Sequence, residues 1–348
     1  MSPASVLFQN ESHTVVLLDV PRTLEEAQLL PGELQSGTTP LRRLISTKPP
    51  ETPFQTPEPK HGQLTQTAST PSAQVAELMT LAAVNSALDE VHHGYHGPWC
   101  LPRLMPEAEV SEDCSSGTKR CAPFPEDKQV SPVADQVYIP KEAQFLLGTV
   151  QSQRAALISQ DVLFDLMILD PPWPNRSARR KKNNYATADG LDAVRELLSL
   201  IPVRSHLSTD GLVAVWVTNA PRFAELLTST GGIFAEWGLE LVDEWTWLKV
   251  TTKGEPIYPV DSAWRKPWER LLIARRLGSS IKTPNPRKVI VAVPDIHSRK
   301  PNLRGVFAEV FRPGYLGLEV FARNLTAGWW SWGDEALHFQ HGGNWADV

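Results

Sequence analysis

In the apolar run 164–169, Phe164, Leu166, Met167, Ile168 and Leu169 are interrupted only by Asp165, and the run ends abruptly in Asp170, Pro171, Pro172 and Trp173. Near-continuous hydrophobicity over so short a span is the pattern of a strand buried on both faces of a parallel sheet. Runs of the same kind recur at 211–217 and 289–293, and further strand-like stretches lie at 145–150, 271–274 and 316–321. In 239–250 Trp245 and Trp247 fall on one face of a further strand. Between these runs, 191–200 and 223–228 carry the three- and four-residue apolar spacing of helices, whereas a polar turn is expected between 150 and the run at 164. Strands interleaved with helices predict an α/β fold with a largely parallel sheet, whose ligands sit at the carboxyl edge of the strands.

The first third reads differently. Residues 5–8 and 13–20 have the pattern of a hairpin, and 23–30 that of a short helix. Residues 31–71 hold eight prolines among Ser, Thr and Gln, a composition that buries too little apolar surface to offset ordering entropy and reads as a linker. Alternation in 14–20 favours a hairpin that docks on the main domain over an independent tail. Residues 72–91 place Val75, Leu78, Met79, Ala82, Leu88 and Val91 on one helical face stopped by Gly94, a packing helix rather than a partner-binding one. His92, His93 and His96 follow without an acid or cysteine at a metal-binding spacing, the pattern of a polar helix end, and no metal is expected. The expected organisation is a docking hairpin at 1–30, a Pro-rich linker at 31–71, a helical segment with loops at 72–137, and an α/β domain at 138–348, with the N-terminal extension partly disordered.

Composition changes this picture little. At 41% hydrophobic and 21% charged the chain is globular in type, and a net charge of −5 excludes a protein that coats polyanions everywhere, so any nucleic-acid site is local. The three cysteines, Cys100, Cys114 and Cys121, form neither a CxxC pair nor an even set, which points to a reducing compartment. No apolar run reaches the length of a membrane helix, and the first ten residues lack the regions of a signal peptide, so a cytosolic or nuclear location is expected and no membrane.

The chemistry is concentrated at Asp170-Pro171-Pro172-Trp173. An ionised carboxylate only accepts hydrogen bonds and proline lacks an N–H, so this corner offers acceptors, and Trp173 adds a flat face on which a base stacks. The implied guest is an aromatic amine. Its lone pair is delocalised into the ring until acceptors hold its N–H bonds and draw the nitrogen toward a tetrahedral shape, a task for Asp170 and a proline carbonyl. An ordinary aspartate, ionising near pH ~4, is an aligned acceptor here rather than a strong base. Just beyond, Asn175, Arg176, Arg179, Arg180, Lys181, Lys182 and Tyr185 form a basic loop beside the base pocket, suited to phosphates and to a flipped base or its neighbour. Lys266 and Trp268 make a second basic and aromatic patch. The dinucleotide fingerprint GxGxxG is missing after the first strand, which counts against an NAD site.

Asp170-Pro171-Pro172-Trp173 resembles the signature of the MT-A family of N6-adenine methyltransferases, named for the seventy-kilodalton mRNA adenosine methyltransferase subunit. Trp247-Leu248-Lys249-Val250, Lys266-Pro267 with Glu269, His297-Ser298-Arg299-Lys300-Pro301 and Glu319-Val320-Phe321-Ala322-Arg323-Asn324 follow in the order of methyltransferase-like subfamily four. The resemblance covers roughly 141–340. It implies a Rossmann-like, S-adenosylmethionine-dependent methyltransferase sheet with permuted motif order, the catalytic Asp170, Pro171, Pro172 and Trp173 preceding the cofactor strand at 316–321. It further implies that Arg323 and Asn324 border the ribose and methionine parts of the cofactor, that Lys300 meets its carboxylate, and that Glu319, Asp334 and Glu335 accept from cofactor hydroxyls or order Arg323. In the family the loop around Lys266 helps close over substrate. The family's acidic residue for the cofactor's adenine amine is replaced here by Gly148-Thr149-Val150, and Asp334 stands where asparagine is common.

The expectation is an enzyme that methylates N6 of adenine in nucleic acid: in RNA, including 2′-O-methyladenosine of small nuclear RNA, or in DNA. Its expected location is nuclear, with a cytoplasmic pool also open. The alternatives are a non-catalytic nucleic-acid-binding subunit and a protein amide methyltransferase, since related Asp/Asn-Pro-Pro-aromatic motifs serve amides too. Protein partners are not specified by the sequence.

Overall fold

The apolar runs become strands because their alternate side chains find cover on opposite faces of one sheet. A computed structural model describes residues 4–33, 42–55, 71–106, 136–174, 190–262, 265–282 and 286–347. In chain order the first half contains β1 (Val6–Gln9), β2 (Val15–Asp19), α1 (Val20–Glu26), β3 (Arg42–Leu44), α2 (Pro71–Gly94), β4 (Gln144–Leu147), α3 (Val150–Ile158) and β5 (Phe164–Leu169). There follow α4 (Leu191–Ser199), α5 (Val203–His206), β6 (Leu207–Val217), α6 (Pro221–Thr228), α7 (Ile233–Trp237), β7 (Leu239–Lys249) and β8 (Trp268–Arg276). The chain closes with β9 (Val289–Val293), α8 (Arg304–Phe307), β10 (Gly317–Val320), β11 (Trp330–Gly333) and β12 (Trp345–Asp347).

Ten of these strands form one sheet in the order β1-β2-β9-β7-β8-β6-β5-β10-β11-β4. β4, β11, β10, β5 and β6 are parallel neighbours, and so are β7, β9 and β2. β8 runs against β6 and β7, and β1 against β2. From β5 the chain crosses to β6 on one side, whereas from β10 it passes to β11 on the other. β5 and β10 are hydrogen-bonded neighbours, so the topological switch point, where open α/β sheets hold ligands, opens between them.

Both faces are covered. Met167 and Leu169 of β5 pack with Val213, Val215 and Val217 of β6 beneath α4, α6 and α7, through Val194, Leu198, Leu226, Leu227 and Phe234. Leu166 and Ile168 face the other way, toward Trp216, Trp245, Trp247 and Trp329 and toward Val306 and Phe307 of α8. Trp245 stacks on Phe307 with ring centroids 4.7 Å apart. At the β2 end of the sheet, Val84, Ala87 and Val91 of α2 cover Val15, Leu17, Val289 and Val291.

Four expectations change. The stretch after β4 is a helix: the Thr149 side chain accepts the Ser152 N–H as its cap, and Val150 and Leu157 are buried. Within the expected linker the segment around Leu44 is packed, because β3 pairs antiparallel with β12 and Glu25, fully enclosed, holds Arg43 and the Leu44 N–H. In α2 the buried face is Val84, Ala87 and Val91, while Val75, Leu78, Met79 and Ala82 lie on exposed turns, because only the C-terminal half of the helix reaches the sheet. The region 138–348 is not self-contained either: β2 pairs with β9 inside the sheet, and Leu17 and Leu18 are core residues.

Candidate active site

Parallel order brings the ends of β5, β6, β7, β10 and β11, and the start of the antiparallel β8, to one edge of the sheet. Each contributes polar groups because the apolar runs stop there. An open cleft lies over the β5/β10 junction, lined by Ile168, Asp170, Trp216, Ser298, Lys300, Pro301, Asn302, Leu303, Glu319, Val320, Phe321, Ala322, Arg323, Asn324 and Phe339.

Asp170 stands immediately after β5, its N–H donated to the Val320 carbonyl of β10 at 3.3 Å. One carboxylate oxygen, Oδ2, accepts from Lys300 Nζ at 2.9 Å. The same ammonium lies 3.2 Å from Glu269 Oε2, and Lys249 Nζ bonds the other Glu269 oxygen. A zigzag of alternating charges, Lys249–Glu269–Lys300–Asp170, thus crosses the cleft edge from β7 to β5. Burial alone would raise Glu269 and lower Lys300. The facing charges outweigh it: Lys300 and Lys249 hold the Glu269 carboxyl down at about 2, and Asp170 and Glu269 hold Lys300 above the ordinary lysine range.

The loop that carries Lys300 is fixed from the N-terminal third. Asp295, fully enclosed, accepts from the Thr47 N–H at 3.0 Å and pairs with Arg103 and Arg299. Arg299 also donates to the Ile45 carbonyl and lies 4.4 Å over the Phe339 ring, itself part of the cleft lining. Next to it Ser298 has φ 73°, and across the cleft Phe321, where β10 ends, has φ 62°. A left-handed phenylalanine is a strained conformation, held here by the close passage of β11: the Ala322 N–H bonds the Trp332 carbonyl, and a Cβ on Gly333 would stand 2.9 Å from the Ala322 carbonyl oxygen.

On the β10 side, Glu319 faces the cleft, and burial raises its carboxyl to about 7, offset only in part by Arg304. Arg323 Nε pairs with Glu335 at 3.0 Å, so Glu335 orients the guanidinium. The Asn324 side-chain amide nitrogen is buried without a hydrogen-bond partner at the cleft wall. Such an orphaned donor, together with the acceptor Glu319 and the cations Lys300 and Arg323, fits a ligand bearing a carboxylate, hydroxyls and an ammonium, as S-adenosylmethionine does.

Of the residues singled out in the sequence, Asp170, Lys300, Glu319, Arg323 and Asn324 converge on this cleft. Asp334 is exposed and lies outside its lining. Pro171 and Pro172 follow Asp170, and the Pro171 carbonyl already accepts the Trp173 N–H at 2.8 Å. Trp173 differs from its expected part as a stacking face: it is 8% exposed, rests on Phe223 and donates its indole N–H to the Trp216 carbonyl at 2.7 Å, so it anchors the loop in the core. Lys266 is also committed elsewhere, to Glu77 of α2 at 2.6 Å, because α2 packs beside the start of β8. Asn175, Arg176, Arg179, Arg180, Lys181, Lys182 and Tyr185 lie outside the described residues. Sequence reasoning assigned no role to Lys249 or Glu269, although Lys249 ends β7 beside Trp247 and Glu269 stands at the start of β8 beside Trp268. Among the described residues no group of three or more His, Cys, Asp or Glu comes together as a metal site, and no helix is long and apolar enough to cross a membrane. His92 instead packs on Trp99, 4.8 Å between ring centroids.

Comparison with known proteins identifies the family. Residues 164–335 match the family MT-A70. The chain is 52% identical over 346 residues to a Cryphonectria parasitica protein named N6-methyladenosine RNA methyltransferase MTA1, covering 99% of this chain and 94% of that one. A Pyricularia oryzae protein of the same name is 48% identical, covering 98% and 96%. The mouse N(6)-adenine-specific methyltransferase METTL4 is 34% identical over 225 residues, 62% of this chain and 46% of that one. Among solved structures, the M1.HpyAVI–SAM complex is similar over 57% of this chain and 96% of that one, at 15% identity and a TM-score of 0.42.

Proposed function

Because the chain belongs to the MT-A70 family, we propose that it is an S-adenosylmethionine-dependent methyltransferase acting on N6 of adenine in RNA. The observation that carries this reading is the Asp170 carboxylate at the end of β5, beside a cleft whose β10 wall offers Glu319, Arg323 and Asn324. The choice of RNA is supported by the two relatives named RNA methyltransferases, which match along nearly the whole chain, including the N-terminal third that holds the Lys300 loop.

Lys300, Arg323, Asn324 and Glu319 are the residues that would hold the cofactor, with Glu335 aligning Arg323. S-adenosylmethionine, when bound, supplies a methyl group made electrophilic by its sulfonium. The protein's own part is positioning. Asp170 accepts one N6–H bond of the adenine, and the Pro172 carbonyl the other, which draws the nitrogen lone pair out of the ring and aims it at the β10 side of the cleft. Lys300, braced by Glu269, fixes the Asp170 carboxylate in its acceptor orientation. The surplus proton leaves the nitrogen only after the methyl has been transferred, when the amine is cationic and acidic, and the Asp170 carboxylate already in contact with it receives that proton.

The test is transfer of labelled methyl to matched single-stranded RNA, DNA and 2′-O-methyladenosine RNA, with the product nucleoside identified by mass spectrometry. N6-methylation of RNA is expected. Incorporation confined to DNA, or to protein amides, overturns the assignment.

A further inference from the structure

Backbone hydrogen bonds lead from Lys249, the far end of the charge zigzag, to a surface that the mechanism does not use. The Lys249 carbonyl at the end of β7 accepts the Ile257 N–H at 3.1 Å, and the Ile257 carbonyl accepts the Phe54 N–H at 2.9 Å. Two such backbone steps, at ~4.8 Å each, set the Phe54 segment about 10 Å from the Lys249 backbone. The Lys249 ammonium is already linked through Glu269 and Lys300 to Asp170. Phe54 is 48% exposed although its backbone is pinned at both ends of the segment, since the Pro50 carbonyl accepts the Thr252 N–H at 2.9 Å. Its ring lies 5.6 Å from that of Tyr258. Arg265 donates to the Tyr258 hydroxyl at 3.1 Å and its guanidinium stands 5.6 Å from the Tyr258 ring centre. Lys253, on the same loop, is exposed.

We infer that Phe54, Tyr258 and Arg265 form a stacking site for a nucleobase that flanks the target adenine in the RNA strand. This rests on the methyltransferase reading above and extends it to substrate selection. An exposed aromatic ring accepts any base by its π-face, and an adjacent guanidinium both stacks and meets phosphate, which is how single strands are held without reading their sequence. The chain's net charge of −5 makes a local aromatic and basic patch linked to Lys249 the more telling. A proline-rich peptide would also lie on aromatic rings, but it has no use for the cations, nor for continuity with the catalytic edge.

The experiment places 2-aminopurine at each neighbour of the target adenine in a single-stranded RNA and follows its fluorescence on titration with the full chain, alongside methylation kinetics. In the wild type, quenching is expected at one flanking position. Phe54→Ala loses that quenching and raises KM for the RNA about ten- to a hundredfold, the scale of one lost base stack, with kcat changed less than twofold. Phe54→Trp restores both, and matching thermal melting of the variants excludes misfolding. Absence of quenching while the wild type methylates the RNA overturns the stacking site and leaves the methyltransferase reading intact. Quenching that depends on Phe54, without methyl transfer, keeps the site and overturns that reading. A Phe54-dependent proline-rich peptide, with RNA binding indifferent to Phe54→Ala, assigns the surface to a protein partner and overturns the proposal.

Discussion

Lys300 Nζ stands 2.9 Å from Asp170 Oδ2 and 3.2 Å from Glu269 Oε2, so one ammonium joins the carboxylate after β5 to the one at the start of β8. These strands are not neighbours in the sheet, β6 lying between them. The contact therefore fixes the direction of the Asp170 acceptor from outside its own strand.

Lys300→Met should consequently lower kcat on the order of a hundredfold, the scale of losing a positioned group in an active site. The stability cost is smaller, about 1–2 kcal/mol: removing one partner of a fully buried pair costs about 3–5 kcal/mol, and these side chains keep some solvent contact. Steady-state kinetics and denaturant unfolding on the same preparation check both values. A kcat within twofold of wild type would remove Lys300 from the account.

Glu319 gives a pH dependence of definite sign. Burial raises its carboxyl from 4.5 to about 7, so folding favours the protonated form. The stabilisation it contributes is fully present below about 4.5 and is lost as pH rises through about 7. Glu319→Gln removes that dependence. Thermal melting between pH 5 and 8 should therefore show the variant gaining on the wild type as pH rises, and parallel profiles would contradict the assigned environment.

Glu25 ties the N-terminal third to the rest of the fold. Its enclosed carboxylate pairs with Arg22 at 2.9 Å and Arg43 at 2.8 Å. Glu25→Ala strands two guanidinium groups and should cost about 3–5 kcal/mol in denaturant unfolding.

The main sheet was legible because its strands announce themselves: 164–169 and 289–293 are apolar on both faces, and Asp170 ends the first of them with an acid and two prolines. What escaped the sequence is set by contacts distant along the chain. Val75, Leu78 and Met79 have helical spacing, yet periodicity does not say how far a sheet extends beneath a helix. Residues 42–55 are proline-bearing and polar, yet β3 finds β12 some three hundred residues away. Trp173 looks like a platform until Phe223 and the Trp216 carbonyl claim its faces and its N–H. Glu269 gains its meaning only when the antiparallel β8 brings it to Lys300.

The same long-range pairing predicts the result of truncation. A chain starting at residue 138 lacks β2, whose Leu17 and Leu18 are core residues, and leaves β9 an unpaired apolar edge. Such a fragment should be insoluble or aggregated. A monodisperse, cooperatively melting fragment by light scattering and calorimetry would show that the sheet closes without its N-terminal strands.

The most direct test of the central claim is N6-methyladenosine formation on single-stranded RNA by Asp170→Asn, measured beside calorimetric binding of S-adenosylmethionine. The amide keeps the shape of Asp170 but turns one acceptor into a donor and ends the ion pair with Lys300. The expected result is turnover reduced at least a thousandfold with cofactor affinity within a few-fold of wild type, about the cost of removing one essential positioned group. Turnover near the wild-type rate would contradict the role of Asp170 as the acceptor that aims the adenine amine.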